Sequence, residues 1–180
     1  MLNISLMAIA LIVLMHLKWC ALRPKPVTIH ALGATITALK KYVFNWEIWP
    51  DFTVIPNAEQ PFMRYEEIAV GEVINLGGRK ITVLPAVHTV PAVGYQFDSG
   101  KNSLVFTGDT GPNDALWEVV NKIENLRYLI IETAFADKDR PMAELSKHLC
   151  PEMLGEELAK LTRPADIFIT HLKPSEIELT

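Results

Sequence analysis

Five side chains of this 180-residue sequence could together do chemistry: His88, Asp109, Glu132, His148 and His171. Four of them stand at or just past the end of an apolar run. His88 follows "TVLPAV", Asp109 follows "SLVFTG", Glu132 follows "RYLII", and His171 follows "DIFIT", while His148 comes just ahead of Pro151. A strand that runs into a glycine and then an aspartate, as "LVFTGDTGP" (104–112) does, throws a carboxylate past the sheet edge where α/β proteins bind ligands. Singly, each residue has a plainer reading. A lone histidine after an apolar run is more often a satisfied core or edge histidine, and an Asp after Gly is commonly a turn former. Glu132 could be a solvated strand end, and His148 a helix-capping neighbour. Four strand ends delivering such groups together favour a shared site. Neutral imidazoles with a carboxylate suit zinc or manganese. A carboxylate can bridge two ions ~3.5–4 Å apart around a shared hydroxide, and a His paired with a Glu can protonate a leaving oxygen. The chemistry is metal-assisted hydrolysis.

The elements that must position these groups read as α/β. "PVTIHAL" (26–32) is a short strand holding His30 as a structural residue, and "GATITALKKYVF" (33–44) has helical spacing at Ile36, Leu39, Lys40 and Val43. "NWEIWPDFTVIPN" (45–57), with two prolines and three large aromatics, is a packed connecting loop. Residues 62–88 give β-rich runs divided by a "GG" hairpin signal, and two more strands flank "DSGKN". The period then changes. "GPNDALWEVVNKIENL" (111–126) is an amphipathic helix with Asn113 or Asp114 as N-cap. "RYLIIETAF" (127–135) is a buried strand, 150–162 a helix with Pro151 in its first turn, and 165–174 a strand. Alternation of this kind predicts helices packed on a sheet.

Composition sets outer bounds. Hydrophobic residues make up 49% and charged residues 21%, with a net charge of −4, which suits one globular domain and argues against a broad basic face for nucleic acid. Cys20 and Cys150 have no CxxC spacing, so neither a disulfide framework nor a cysteine zinc site is expected, and a reducing, cytoplasmic compartment is the default. The run "ISLMAIALIVLMHL" (4–17) is apolar, yet shorter than the roughly 20 residues a spanning helix needs, and it lacks the basic start of a signal peptide. A membrane partner is therefore not expected.

In order and spacing, "AVHTVPAVGYQF", "LVFTGDTGP", "LIIETAF", "SKHL" and "FITHLKP" resemble the C-terminal half of the metallo-β-lactamase-fold phosphodiesterases. The resemblance is to the class II 3′,5′-cyclic-nucleotide phosphodiesterases, supported also by "PVTIHALGATITALKKYVFNWEIWPDF". The tRNA 3′-processing endonuclease RNase Z is a cousin, and an RNase Z-like or arylsulfatase-like hydrolase is the alternative. The resemblance implies an αββα sandwich whose N-terminal portion is incomplete, with residues 1–22 an atypical apolar segment and 23–180 a partial hydrolase domain. It implies His88, Asp109 and His171 as metal ligands, Asp109 bridging, and Glu132 with His148 as the catalytic pair. The cofactor implied is a divalent metal, two zinc ions in the complete family member. The substrate implied is a cyclic nucleotide such as cyclic AMP, opened by a metal-held hydroxide to a nucleoside 5′-monophosphate. The family's His-x-His-x-Asp-His run has no match here, since the histidines are 16, 30, 88, 148 and 171. It would fall just ahead of "RPKPVTIH", where the apolar run stands. The expectation is a truncated or frameshifted product with a half-built metal site, hence either a weakened enzyme or a non-catalytic remnant. Half a sandwich would also leave an apolar sheet face and unpaired edges, inviting a homodimer.

Overall fold

A computed structural model describes residues 25–173 of the chain. The apolar run at 4–17, His16 and Cys20 lie outside the described residues, and among those described no helix is long and apolar enough to cross a membrane. The chain forms two compact units that divide between Ile68 and Ala69.

In the first unit, strand β1 (Val27–Ala31), helix α1 (Gly33–Tyr42) and strand β2 (Met63–Glu67) make a parallel crossover, with Val27 opposite Met63 and Ala31 opposite Glu67. Ile29, Ala31, Ile36, Leu39, Phe44 and Met63 form its core. The helix stops two residues short of the expected end. Val43 leaves helical geometry, and the Phe44 amide turns back to the Leu39 carbonyl, which carries the Phe44 ring inward. The loop that follows is not packed as expected: Phe52 meets Phe44 edge-on at 5.8 Å, but Trp46, Ile48 and Trp49 are exposed, because the loop turns them away from the small core of this unit. His30 faces Glu66 on the paired strand at 3.6 Å, and its Nδ1 is buried without a hydrogen-bond partner.

The second unit is a six-stranded mixed sheet in sequential order. Its strands are β3 (Val73–Leu76), β4 (Arg79–Pro85), β5 (Val93–Asp98), β6 (Ser103–Phe106), β7 (Leu126–Glu132) and β8 (Asp166–Thr170). Gly77 and Gly78 both have positive φ, as a two-residue hairpin turn demands, and they join β3 to β4. β4, β5 and β6 pair antiparallel, and β6, β7 and β8 pair parallel. β4, β6, β7 and β8 therefore run in one direction and end at one edge of the sheet. That edge carries the site.

Helices α2 (Asp114–Val120), α3 (Arg140–Ser146) and α4 (Pro151–Leu158) contribute to a single core with the sheet. Leu84, Val105, Leu129 and Ile131 from the strands meet Leu116, Trp117, Val120, Ala143, Met153 and Leu154 from the helices. Each fully buried Leu or Ile contributes roughly 1.5–3 kcal/mol of transfer free energy. The N-cap of α2 is Asn113, whose side chain accepts from the Leu116 amide. α2 is shorter than the sequence suggests, because 121–125 must turn to bring Leu126 beside Ser103 in the sheet. α3 was not foreseen. It buries only Ala143, so no apolar stripe marks it. On the face opposite the helices Phe97, Tyr128 and Phe168 are exposed.

One glycine pins the sheet beneath the site. A Cβ on Gly94 would stand 2.8 Å from the carbonyl oxygens of both Phe106 and Thr107, backbone that cannot move aside cheaply. Gly94→Ala should therefore cost about 1–3 kcal/mol. Gly155 lies within α4 with nothing within 4 Å of its Cβ position, so Gly155→Ala should stabilise by about 0.5–1 kcal/mol. Urea melts of the two variants should shift in opposite directions; a shared direction would contradict this packing.

Candidate metal centre

Three of the site's approaches use left-handed backbone. Gly108, with φ +66°, turns the chain between β6 and Asp109, and a Cβ there would sit 3.0 Å from the Val93 carbonyl. Lys147, with φ +56°, caps α3 and so sets His148. His171 itself has φ +66°, an uncommon conformation for a non-glycine residue, held at the end of β8. The two loops that carry His88 and Asp109 are tied to each other. The Val87 amide donates to Thr110 Oγ1 at 2.9 Å, and the Gly111 amide donates to the Val87 carbonyl at 2.8 Å.

Glu132 is fully buried, and its carboxylate is spoken for. Oε1 lies 2.6 Å from His148 Nδ1 and accepts from the Thr110 amide at 3.2 Å; Oε2 lies 3.5 Å from the Leu149 amide. With Nδ1 turned to Glu132, His148 presents Nε2 to the site, 3.3 Å from Nε2 of His88. The rings of His88 and His171 stand 4.9 and 5.0 Å from that of His148, both edge-on. Burial pushes the His88 imidazole below its ordinary value, and the neighbouring His148 adds to this against the pull of Asp109 and Glu132. A neutral His88 is the form that offers a lone pair to a metal.

The five residues singled out from sequence thus come together. His88, Asp109 and His148 each offer a ligand atom within 4.8 Å of the others, as do Glu132, His148 and His171. The donor set fits a divalent cation on a further count. His171 Nδ1 is buried with no hydrogen-bond partner and stands 3.5 Å from Asp109 Oδ1, too far for a hydrogen bond. With zinc bonds of ~2.0–2.2 Å, two ligand atoms around one tetrahedral ion stand roughly 3.3–3.5 Å apart. Glu132 engages His148 through Nδ1 alone, so His148 Nε2 stands with His88, Asp109 and His171 among the donor atoms grouped here.

Sequence reasoning missed the surroundings. Thr110 clamps the two loops that carry His88 and Asp109, and its hydroxyl gave no signal within "GDTG". The Phe135 ring packs 5.9 Å from the His148 ring. Lys147 reaches the His88 carbonyl at 3.5 Å, and Lys173 lies over Phe135.

The family described as "Beta-lactamase superfamily domain" matches residues 8–172. A probable 3′,5′-cyclic-nucleotide phosphodiesterase of Yersinia pestis is 28% identical over 172 residues, covering 82% of this chain and 50% of the relative. A 3′,5′-cyclic-nucleotide phosphodiesterase of Aliivibrio fischeri is 28% identical over 174 residues, covering 82% of this chain and 52% of the relative. Among solved structures, unliganded yeast PDE1 superposes with a TM-score of 0.70 at 21% identity, over 86% of this chain and 51% of that one. The chain spans about half the length of these relatives.

Proposed function

The chain belongs to the β-lactamase superfamily, and from that premise we propose that its site is part of a phosphodiesterase centre acting on 3′,5′-cyclic nucleotides. The observation that carries the reading is the Glu132–His148 pair at 2.6 Å, set beside the Asp109–His171 pair. The metallo-β-lactamase fold suggests a divalent metal, which His88, Asp109 and His171 would hold; zinc would suit these donors, and Asp109 would serve both ions were two bound. When bound, such an ion lowers the pKa of water and polarises phosphoryl oxygens.

The chain's own residues supply the proton chemistry. The buried Glu132 holds His148 in one orientation through Nδ1, so that Nε2 is the atom that can give a proton. Water adds to phosphorus and gives up one proton, the bond from phosphorus to the 3′ oxygen breaks, and His148 Nε2 delivers a proton to that oxygen, the proton released by the water making good the loss. The product is a nucleoside 5′-monophosphate. Phe135 against His148 keeps one side of the imidazole from water.

The missing His-x-His-x-Asp-His run favours a second reading, in which this chain binds one ion and turns nothing over. Incubation of the chain with cyclic AMP and zinc or manganese separates the two. The phosphodiesterase reading expects 5′-AMP that disappears on chelation and in His148→Ala. One bound ion with no product would leave the metal-binding reading standing and remove the enzyme.

A further inference from the structure

We propose that Lys173 is the residue that binds the anionic phosphate of the ligand at this site; this rests on the phosphodiesterase reading and names a contact which that reading lacks. The ligand carries a negative charge, and the donor cluster itself contributes two carboxylates, Asp109 and Glu132. An anion approaching them needs a fixed cation. Lys173 supplies one. It stands two residues beyond His171, and its Nζ lies 3.3 Å above the centre of the Phe135 ring. The same ring packs 5.9 Å from His148, so a single aromatic plate touches both the ammonium and the imidazole.

Lys173 is half-buried and has no carboxylate partner among the described residues. Three other cations of this unit are held by carboxylates. Lys160 is held by Asp114 and Glu157 at 2.6 Å each, and Arg140 by Glu144, Glu152 and Glu156. Arg127 pairs with Asp166. A partly desolvated ammonium that only an aromatic face accompanies keeps its hydrogen-bonding capacity for a ligand. Phe135 fixes its place without neutralising it, which is what an anion subsite requires.

The test is calorimetric titration of the full chain with inorganic phosphate, in manganese(II) and again in chelator. Lys173→Gln should weaken phosphate about 10-fold, the usual worth of one charge-assisted hydrogen bond to an anion. Lys173→Arg should stay within about threefold, since charge and donor are kept. Phe135→Leu should weaken phosphate as well, by freeing the ammonium. Lys101→Gln is the control, because its turn joins β5 to β6 at the sheet edge opposite Asp109. The metal affinity of Lys173→Gln should remain within about twofold of the parent, as neutral donors and Asp109 are untouched. Unchanged phosphate affinity in Lys173→Gln would overturn the proposal, as would a parent chain that binds no phosphate in either condition. A Lys173 effect on phosphate without any formation of 5′-AMP would instead uphold the subsite and defeat the phosphodiesterase reading.

Discussion

Asp109→Asn should remove divalent metal binding from this chain almost entirely while leaving the fold intact. The substitution keeps shape and volume and deletes one charge. Asp109 Oδ1 faces His171 Nδ1 at 3.5 Å, and Asp109 is the carboxylate of the His88, Asp109, His148 group. Glu132 cannot take its place, because its oxygens already serve His148 and the amides of Thr110 and Leu149. With only imidazole donors left, affinity should fall by more than the roughly 10–100-fold typical of losing an outer-shell partner. Cobalt(II) absorption and equilibrium dialysis with zinc read this without any need for turnover. The melting temperature of the metal-free variant should change little, since the Asp109 side chain is partly exposed and its neighbour at 3.5 Å is a partly exposed histidine. Retention of parental zinc affinity in Asp109→Asn would move the metal centre elsewhere.

The parts of the site that were legible in sequence are those that follow from strand periodicity. Apolar runs ending in His88, Asp109, Glu132 and His171 mark four strands, and β4, β6, β7 and β8 do run in one direction to one edge. That arrangement needs no contact information, only the habit of α/β sheets of exposing strand C-termini to ligands. The register of α2 and its N-cap were nearly readable too, because Asn113 is one of two adjacent capping residues.

What sequence could not give is backbone handedness and long-range pairing. Nothing in "SKHL" says that Lys147 turns left-handed and so points His148 at a carboxylate sixteen positions upstream. His171 adopts positive φ against the preference of its residue type, a cost only tertiary contacts can meet. α3 carries its meaning in its C-cap, not in an apolar face, so pattern reading passes over it. The contact of Lys173 with Phe135 joins two segments 38 positions apart and leaves no trace in either.

Replacement of Glu132 should have the largest effect on stability, and the size should depend on the replacement in an ordered way. Glu132 has no exposed surface, and every partner of its carboxylate is a donor: His148 Nδ1, the Thr110 amide and the Leu149 amide. Glu132→Ala leaves these groups unmet in the interior and opens a cavity. Such a loss of a buried charged partner costs about 3–5 kcal/mol, a large part of the roughly 5–15 kcal/mol by which a domain is stable. At about 2–4 °C per kcal/mol for a chain of this size, the melting temperature should drop by roughly 10 °C. Glu132→Gln keeps the volume and one acceptor oxygen but turns an NH2 group toward a donor. It should therefore cost about 1–3 kcal/mol. The order parent, Gln, Ala in thermal melts checks the network itself. A Glu132→Ala chain that melts within about 2 °C of the parent would mean that these donors find water or other partners, as they would at a solvated strand end. Glu132→Gln also bears on chemistry. It can keep His148 oriented through its oxygen while removing the buried charge behind the ring, so metal affinity should persist while any 5′-AMP formation falls steeply. Loss of both together would instead make Glu132 a ligand, which its complete burial behind His148 argues against.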